Sequence, residues 1–367
     1  MTRSASRSLS SHLLPLRLFF IKLLFSRPWL FKLFIRRSRS RGPPRPPALV
    51  TRDDELDVQQ LAGVAAEGGP VTRSFLLRPR DLDTSVRPVV LFLPGGAFVF
   101  PPLTAHWRFS AFLAKRLRCS VVVGCYPLAP ESTVATTLPS LRALYKTHVA
   151  SRGGRVALCG DSAGGNLCLR LCQMLAAEAR APAGFAPDEA TKAPSCVVLI
   201  SPALCVALRE EDAHREAELE ALAKTDPMLG LACGRLIATM YAGAADAHGP
   251  DVSPIHGPLC GLPPISVWVG TRDLMLLGCR ELRDRAAAEA RAVNGTTAPL
   301  KRYTEGEGMV HSYPLFLYVP EGAAAAEDIA AAIAEDTGVE VALAAPKRAE
   351  RRSWWWGGWG HARAHRA

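Results

Sequence analysis

Five short apolar runs, mostly of β-branched residues, mark the middle of the chain: Val89–Leu93, Val121–Val123, Val156–Cys159, Val197–Ile200 and Ile265–Val269. They are too short for helices, lack the polar alternation of half-exposed strands and are bounded by Gly or Pro. Each therefore predicts a strand buried on both faces. Between them the apolar spacing changes. Phe109, Phe112, Leu113 and Leu117 fall on one helical face, as do Leu167, Leu171, Met174 and Leu175. Strand–helix alternation on this scale predicts an α/β fold, a mostly parallel central sheet with helices on both faces. From Leu208 to Tyr241 the texture differs: Glu210, Glu211, Asp212, Glu216, Glu218 and Glu220 lie among Ala and Leu. This predicts a solvated helical insertion near residues 205–245, placed as a cap.

The two ends follow other rules. Leu13 to Ile35 is dense in Leu, Phe and Ile but is interrupted by Arg17, Lys22, Arg27 and Lys32 and broken at Pro15 and Pro28, so it has no uncharged span of membrane-crossing length. Cations five residues apart advance by about 140° on a helix and form no single polar face. Basic, Ser-containing and acid-free, the segment resembles an organelle targeting peptide or a membrane-surface anchor whose cations snorkel to headgroups. A membrane surface, met through residues 13–37, is thus one expected partner. Gly42–Pro47 reads as a stiff proline spacer. The expected organisation is a basic arm (1–52), a folded body (53–346) and a tail (347–367) holding Trp354, Trp355, Trp356 and Trp359, either disordered or a second interfacial contact.

Charge sharpens this division. The formal net charge is +10, but residues 1–52 hold twelve cations and no acid, and residues 347–367 add +5, which leaves the body at −7. An acidic body disfavours a groove for phosphate backbones, so no nucleic-acid partner is expected. With 49% hydrophobic and 21% charged residues the chain has globular composition. Its ten cysteines lie scattered, without Cys-x-x-Cys or zinc spacing, and read as reduced core residues.

Gly160-Asp161-Ser162-Ala163-Gly164 lies between a predicted strand and a predicted helix. A serine hydroxyl attacks a carbonyl only if the backbone projects it clear of the sheet, and a tight strand-to-helix turn does so only with small neighbours. Ser162 is therefore the candidate nucleophile. In this arrangement the acid and then the histidine follow the serine along the chain, which excludes His12, His106 and His148. His214 lies in the charged insertion, His248 and His256 precede the strand that would carry the acid, and His361 and His365 lie in the tail. His311, after the strand-like Leu300–Tyr303, remains as the candidate base. Asp273 follows the strand Ile265–Val269 directly and is the expected acid, with Asp226 and Asp251 as competitors. Pro94-Gly95-Gly96-Ala97 ends the first strong strand, where an oxyanion loop belongs. Gly96, Ala97 and Ala163 are the candidate backbone donors.

Together these residues resemble the α/β-hydrolases of the hormone-sensitive-lipase-like family, which includes carboxylesterases and the arylacetamide and steryl-acetate deacetylases. Tyr126-Pro127-Leu128-Ala129-Pro130-Glu131, Ser253-Pro254 and Leu262-Pro263-Pro264 are similar to further landmarks of that family, and the match spans roughly Pro88 to Tyr318. The resemblance implies serine carboxylesterase activity on small or hydrophobic esters through an acyl-serine intermediate, with no metal or organic cofactor. The alternative is a non-catalytic ligand-binding protein on the same fold. Two departures stand out: Pro94 occupies the place of the histidine that usually orders the oxyanion loop, and Ala97 that of its third glycine. Ala97 is strained if its φ must be positive.

Overall fold

The five apolar runs form the centre of one eight-stranded sheet, ordered β1-β2-β4-β3-β5-β6-β7-β8. The structure is a computed structural model and describes residues 14–39, 44–85, 87–180, 192–209, 213–292 and 299–341. Gly42, Pro43 and the Trp-rich tail lie outside the described residues. The strands are β1 (Leu56–Gln60), β2 (Arg73–Pro79), β3 (Val89–Leu93), β4 (Ser120–Cys125), β5 (Val156–Asp161), β6 (Cys196–Ile200), β7 (Ile265–Gly270) and β8 (Leu300–Gly306). From β4 through β8 the pairings are parallel, while β1 and β2 add an antiparallel edge.

Burial on both faces explains why the central strands are mostly apolar, with Ser120, Asp161 and Ser266 as buried exceptions. On β3, Val90 and Phe92 pack with Trp107, Phe109 and Leu113 of helix α3 (Thr104–Leu117) and Ile329 and Ile333 of α9 (Pro320–Thr337). Leu91 and Leu93 point the other way, into a core shared with α4 (Val134–Tyr145), α5 (Ala163–Ala179) and α8 (Leu276–Ala292). Both faces are covered, so period-two alternation has no solvent side to show.

The insertion supplies helices α6 (Ala213–Thr225) and α7 (Leu231–Ala242) above the carboxyl ends of the strands. The described part of the basic arm joins them. Leu14–Ser26 (α1) and Pro28–Arg39 (α2) form a hairpin against α7. Phe31 and Ile35, one helical turn apart, are buried in the main core, and the Phe31 ring meets those of Phe25 and Phe100. Lys22 turns inward: Nζ donates to the carbonyls of Ala223 (2.7 Å) and Leu229. That inward turn removes one of the four cations from the outer surface, which is why their even spacing concealed a two-sided hairpin. Among the described residues, no helix is long and apolar enough to cross a membrane.

Candidate active site

Ser162 sits between β5 and α5 with φ 52° and ψ −119°, a conformation that lifts its side chain off the strand end. Its amide donates to Ile200 O (2.8 Å), and its carbonyl accepts from Asn166 and Ala203, so the strained turn is held from β6 and from its own helix. The small neighbours are required by packing. A Cβ on Gly164 would stand 1.8 Å from Leu93 O, and one on Gly160 would stand 2.5 Å from Gly164 O.

Asp273 and His311 meet at the carboxyl ends of β7 and β8. His311 Nδ1 lies 2.9 Å from Asp273 Oδ1, which also accepts the Met275 N–H at 2.9 Å. Asp273 is fully buried and His311 is 6% exposed. Burial alone disfavours the imidazolium, but the charge and hydrogen bond of Asp273, with the charges of Asp226 and Asp161, outweigh it and raise the His311 pKa. The residues flanking His311 and Ser162 are tied to each other: Ser312 Oγ donates to Asp161 Oδ2 (3.2 Å), and Ser312 N donates to Ser201 Oγ (2.9 Å). Among the described residues, no hydrogen bond joins Ser162 Oγ to His311.

Asp161 also organises the loop after β3. Its Oδ1 accepts the Gly95 N–H (2.8 Å), and its Oδ2 faces His106 Nε2 at 3.3 Å. Leu103 N–H donates to His106 Nδ1, so the ring proton belongs on Nε2, toward the carboxylate. Burial pushes the Asp161 pKa up, but His106, the Gly95 amide and the charge of His311 hold it below the ordinary value. Tyr126 Oη donates to Pro94 O (2.8 Å), and the Val99 and Phe100 amides close onto Gly96 O. These bonds order a loop whose usual histidine is replaced by Pro94. The loop takes left-handed backbone at Gly96 (φ 131°), Ala97 (φ 54°) and Phe98 (φ 58°), so the conditional strain at Ala97 is present. Among the described residues, no protein acceptor takes the N–H groups of Gly96, Ala97 or Ala163.

Residues 90–315 match a family described as having the alpha/beta hydrolase fold. The chain belongs to that family of hydrolases. It is 29% identical over 252 residues to an acetyl-hydrolase of Streptomyces hygroscopicus, covering 68% of this chain and 76% of that protein. It is also 29% identical over 212 residues to a triacylglycerol lipase of Mycobacterium tuberculosis, but there the match covers 57% of this chain and only 40% of the lipase. Solved structures of the same fold include an esterase from the bacterial hormone-sensitive lipase family (TM-score 0.63, 23% identity, covering 88% of this chain and 98% of that one). A hyperthermophilic esterase from Pyrobaculum calidifontis is similar (TM-score 0.65, 24% identity, covering 89% and 98%).

Among the described residues, two cavities lie on either side of the loop 94–102. The larger, about 390 Å³, is lined by Pro94, Gly95, Phe100 and Tyr126 and reaches none of Ser162, Asp273 and His311. The smaller, about 60 Å³, opens on Ser162 and is walled by Phe98, Val206 and Met275 from the body, Ile237 from α7 and Phe25 from α1. Of these two, the smaller contains the candidate nucleophile Ser162 and the larger does not. Close helix approach sets its size: a Cβ on Gly230 would stand 2.8 Å from Phe25 O.

Of the competing acids, Asp251 is paired with Arg170 at the surface. Asp226 is different. It is 1% exposed, its Oδ2 accepts the Leu274 N–H (2.8 Å), and its Oδ1 accepts the amides of Met228 and Leu229. Burial and the charge of Asp273 push its pKa up, with His311 and the amides of Leu229 and Leu274 opposing. The pairing of His106 with Asp161, and the pocket contact of Phe25, carry no signal in the sequence. Chain order removed His106 as a base but said nothing of a supporting role.

Proposed function

We propose that this hydrolase is a serine carboxylesterase acting on esters with small acyl groups, at or near a lipid surface. The Ser312–Asp161 hydrogen bond carries the reading, because it ties the segment bearing His311 to the turn bearing Ser162 while Asp273 holds the far side of the imidazole. In the mechanism, His311 Nε2 takes the proton of Ser162 Oγ as that oxygen attacks the ester carbonyl. Asp273 fixes the tautomer with the Nδ1 proton and stabilises the imidazolium. The serine–imidazole contact tightens as the carbonyl arrives. The carbonyl oxygen, now negative, is met by the N–H groups of Gly96, Ala97 and Ala163, and each such donor is typically worth about 3 kcal/mol in the transition state. Collapse passes the proton from His311 to the departing alcohol and leaves an acyl-serine. Water, activated by the same imidazole, then releases the acid and restores Ser162.

The cavity at Ser162, about 60 Å³ with mostly apolar walls, favours acetyl-sized acyl groups. The names of the relatives, acetyl-hydrolase and lipase among them, agree with ester hydrolysis. Turnover of aryl acetates by the parent and by Ser162→Ala tests the assignment. The parent is expected to hydrolyse them and the variant to lose about 10⁴-fold or more in kcat. Equal rates would remove Ser162 from the mechanism, and an inactive parent that binds esters would favour the ligand-binding alternative.

A further inference from the structure

We propose that the outer face of the α1–α2 hairpin is a docking surface for anionic lipid, and that docking sets the pocket against the layer from which its ester enters. The second half rests on the esterase reading, whereas the docking does not.

Six of the nine large hydrophobic residues exposed among the described residues lie on this hairpin: Phe19, Phe20 and Leu23 on α1, and Trp29, Leu33 and Phe34 on α2. Trp29 is 67% exposed and Phe19 61%. Phe19 and Leu23 are one turn apart, as are Trp29 and Leu33, so each helix shows an apolar stripe outward. The inner face is already committed, through Phe31, Ile35 and Lys22. An apolar patch of this kind on a monomer marks an interaction surface. Its surroundings name the partner. Arg27, Lys32, Arg36 and Arg37 are exposed beside it, and residues 1–52 contain no acid. Aromatic side chains mixed with cations suit the headgroup level of an anionic layer. A second copy of the same face would set cation against cation. The body, at −7, is repelled by the same layer, so the molecule approaches hairpin first. The helix that would lie on the lipid also lends Phe25 to the wall of the pocket holding Ser162, which makes the route from lipid to serine short.

The test is flotation of the full chain with vesicles of phosphatidylcholine containing phosphatidylserine, compared with phosphatidylcholine alone. The parent should float with the mixed vesicles and less so as salt rises. Phe20→Glu combined with Trp29→Glu should weaken binding about tenfold or more, and Lys32→Gln about fivefold. Thermal unfolding and turnover of a water-soluble aryl acetate should stay as in the parent, which shows that the variants fold. With an acetate ester dissolved in the vesicles, the parent should outpace the double variant. A parent that does not float, a double variant that floats equally well, or a dimer that the substitutions dissociate would overturn the docking. Equal rates on the vesicle-borne ester would overturn the delivery alone. Failure of the esterase reading would appear separately, as Ser162→Ala turnover equal to the parent with flotation unchanged.

Discussion

Three buried negative charges surround His311, and they set the pH at which it can accept a proton. Asp273, Asp226 and Asp161 hold its pKa above the ordinary histidine value against the effect of burial. A base must be neutral to act, so kcat/KM should rise with pH through that elevated pKa, placing the acid limb above the position of an ordinary histidine. Asp226→Asn removes one charge while its Oδ1 can still accept an amide. The acid limb should then move to lower pH, a displacement that a purely structural role for Asp226 would not produce; pH profiles of aryl acetate hydrolysis decide the matter. Ser162, Asp273 and His311 can be proposed from the sequence because chain order and strand context constrain them. Asp226 could be named only as a competitor, since neither burial nor the Leu274 amide beside it leaves a mark on composition.

At the level of elements, the central strands announced themselves because burial on both faces enforces unbroken apolar runs. The edge was harder to read. β1, with Asp57 opposite Arg78, is half-exposed and polar in part, so its residues satisfy two environments at once. The sequence of the α1–α2 hairpin reads as an arm because a helix face shows its role only beside its partner, and that partner, α7, lies some 200 residues later. Its packing makes a firm expectation. Phe31 is fully buried against Phe25 and Phe100, so Phe31→Ala should lower stability by about 3–5 kcal/mol in chemical denaturation. Phe100 also closes the turn onto Gly96 O, so kcat should fall under conditions where the variant remains folded. Parent-like stability would mean that residues 14–39 are dispensable to the body.

For the molecule as a whole, the reduced, core-type reading of the cysteines has a direct chemical readout. Among the described residues no cysteine is in a disulfide; eight are buried, Cys205 is half-buried beside the serine pocket, and Cys260 is exposed. Burial pushes the thiols of Cys119, Cys125 and Cys172 up to about 12, far from the reactive thiolate. Native protein treated with a thiol-specific reagent should therefore react first at Cys260, and the full complement should appear only after denaturation. Rapid labelling of several thiols in the native state would contradict the packing. The α/β architecture was legible at this scale from alternation alone. The two-part roof over the serine was not, because only the insertion is contiguous in sequence.

That roof has a consequence for synthesis. Lys22 reaches Ala223 and Leu229, partners separated from it by 201 and 207 positions, so α1 has no docking site until these later residues have followed it from the ribosome. Until then its aromatic side chains, inner and outer alike, face solvent, and a chaperone or a lipid layer would meet them before the rest of the protein does. The turn at Ser162 is translated well before α7, so arrested chains ending short of residue 223 would carry the serine and α1 but lack the Ile237 side of the pocket.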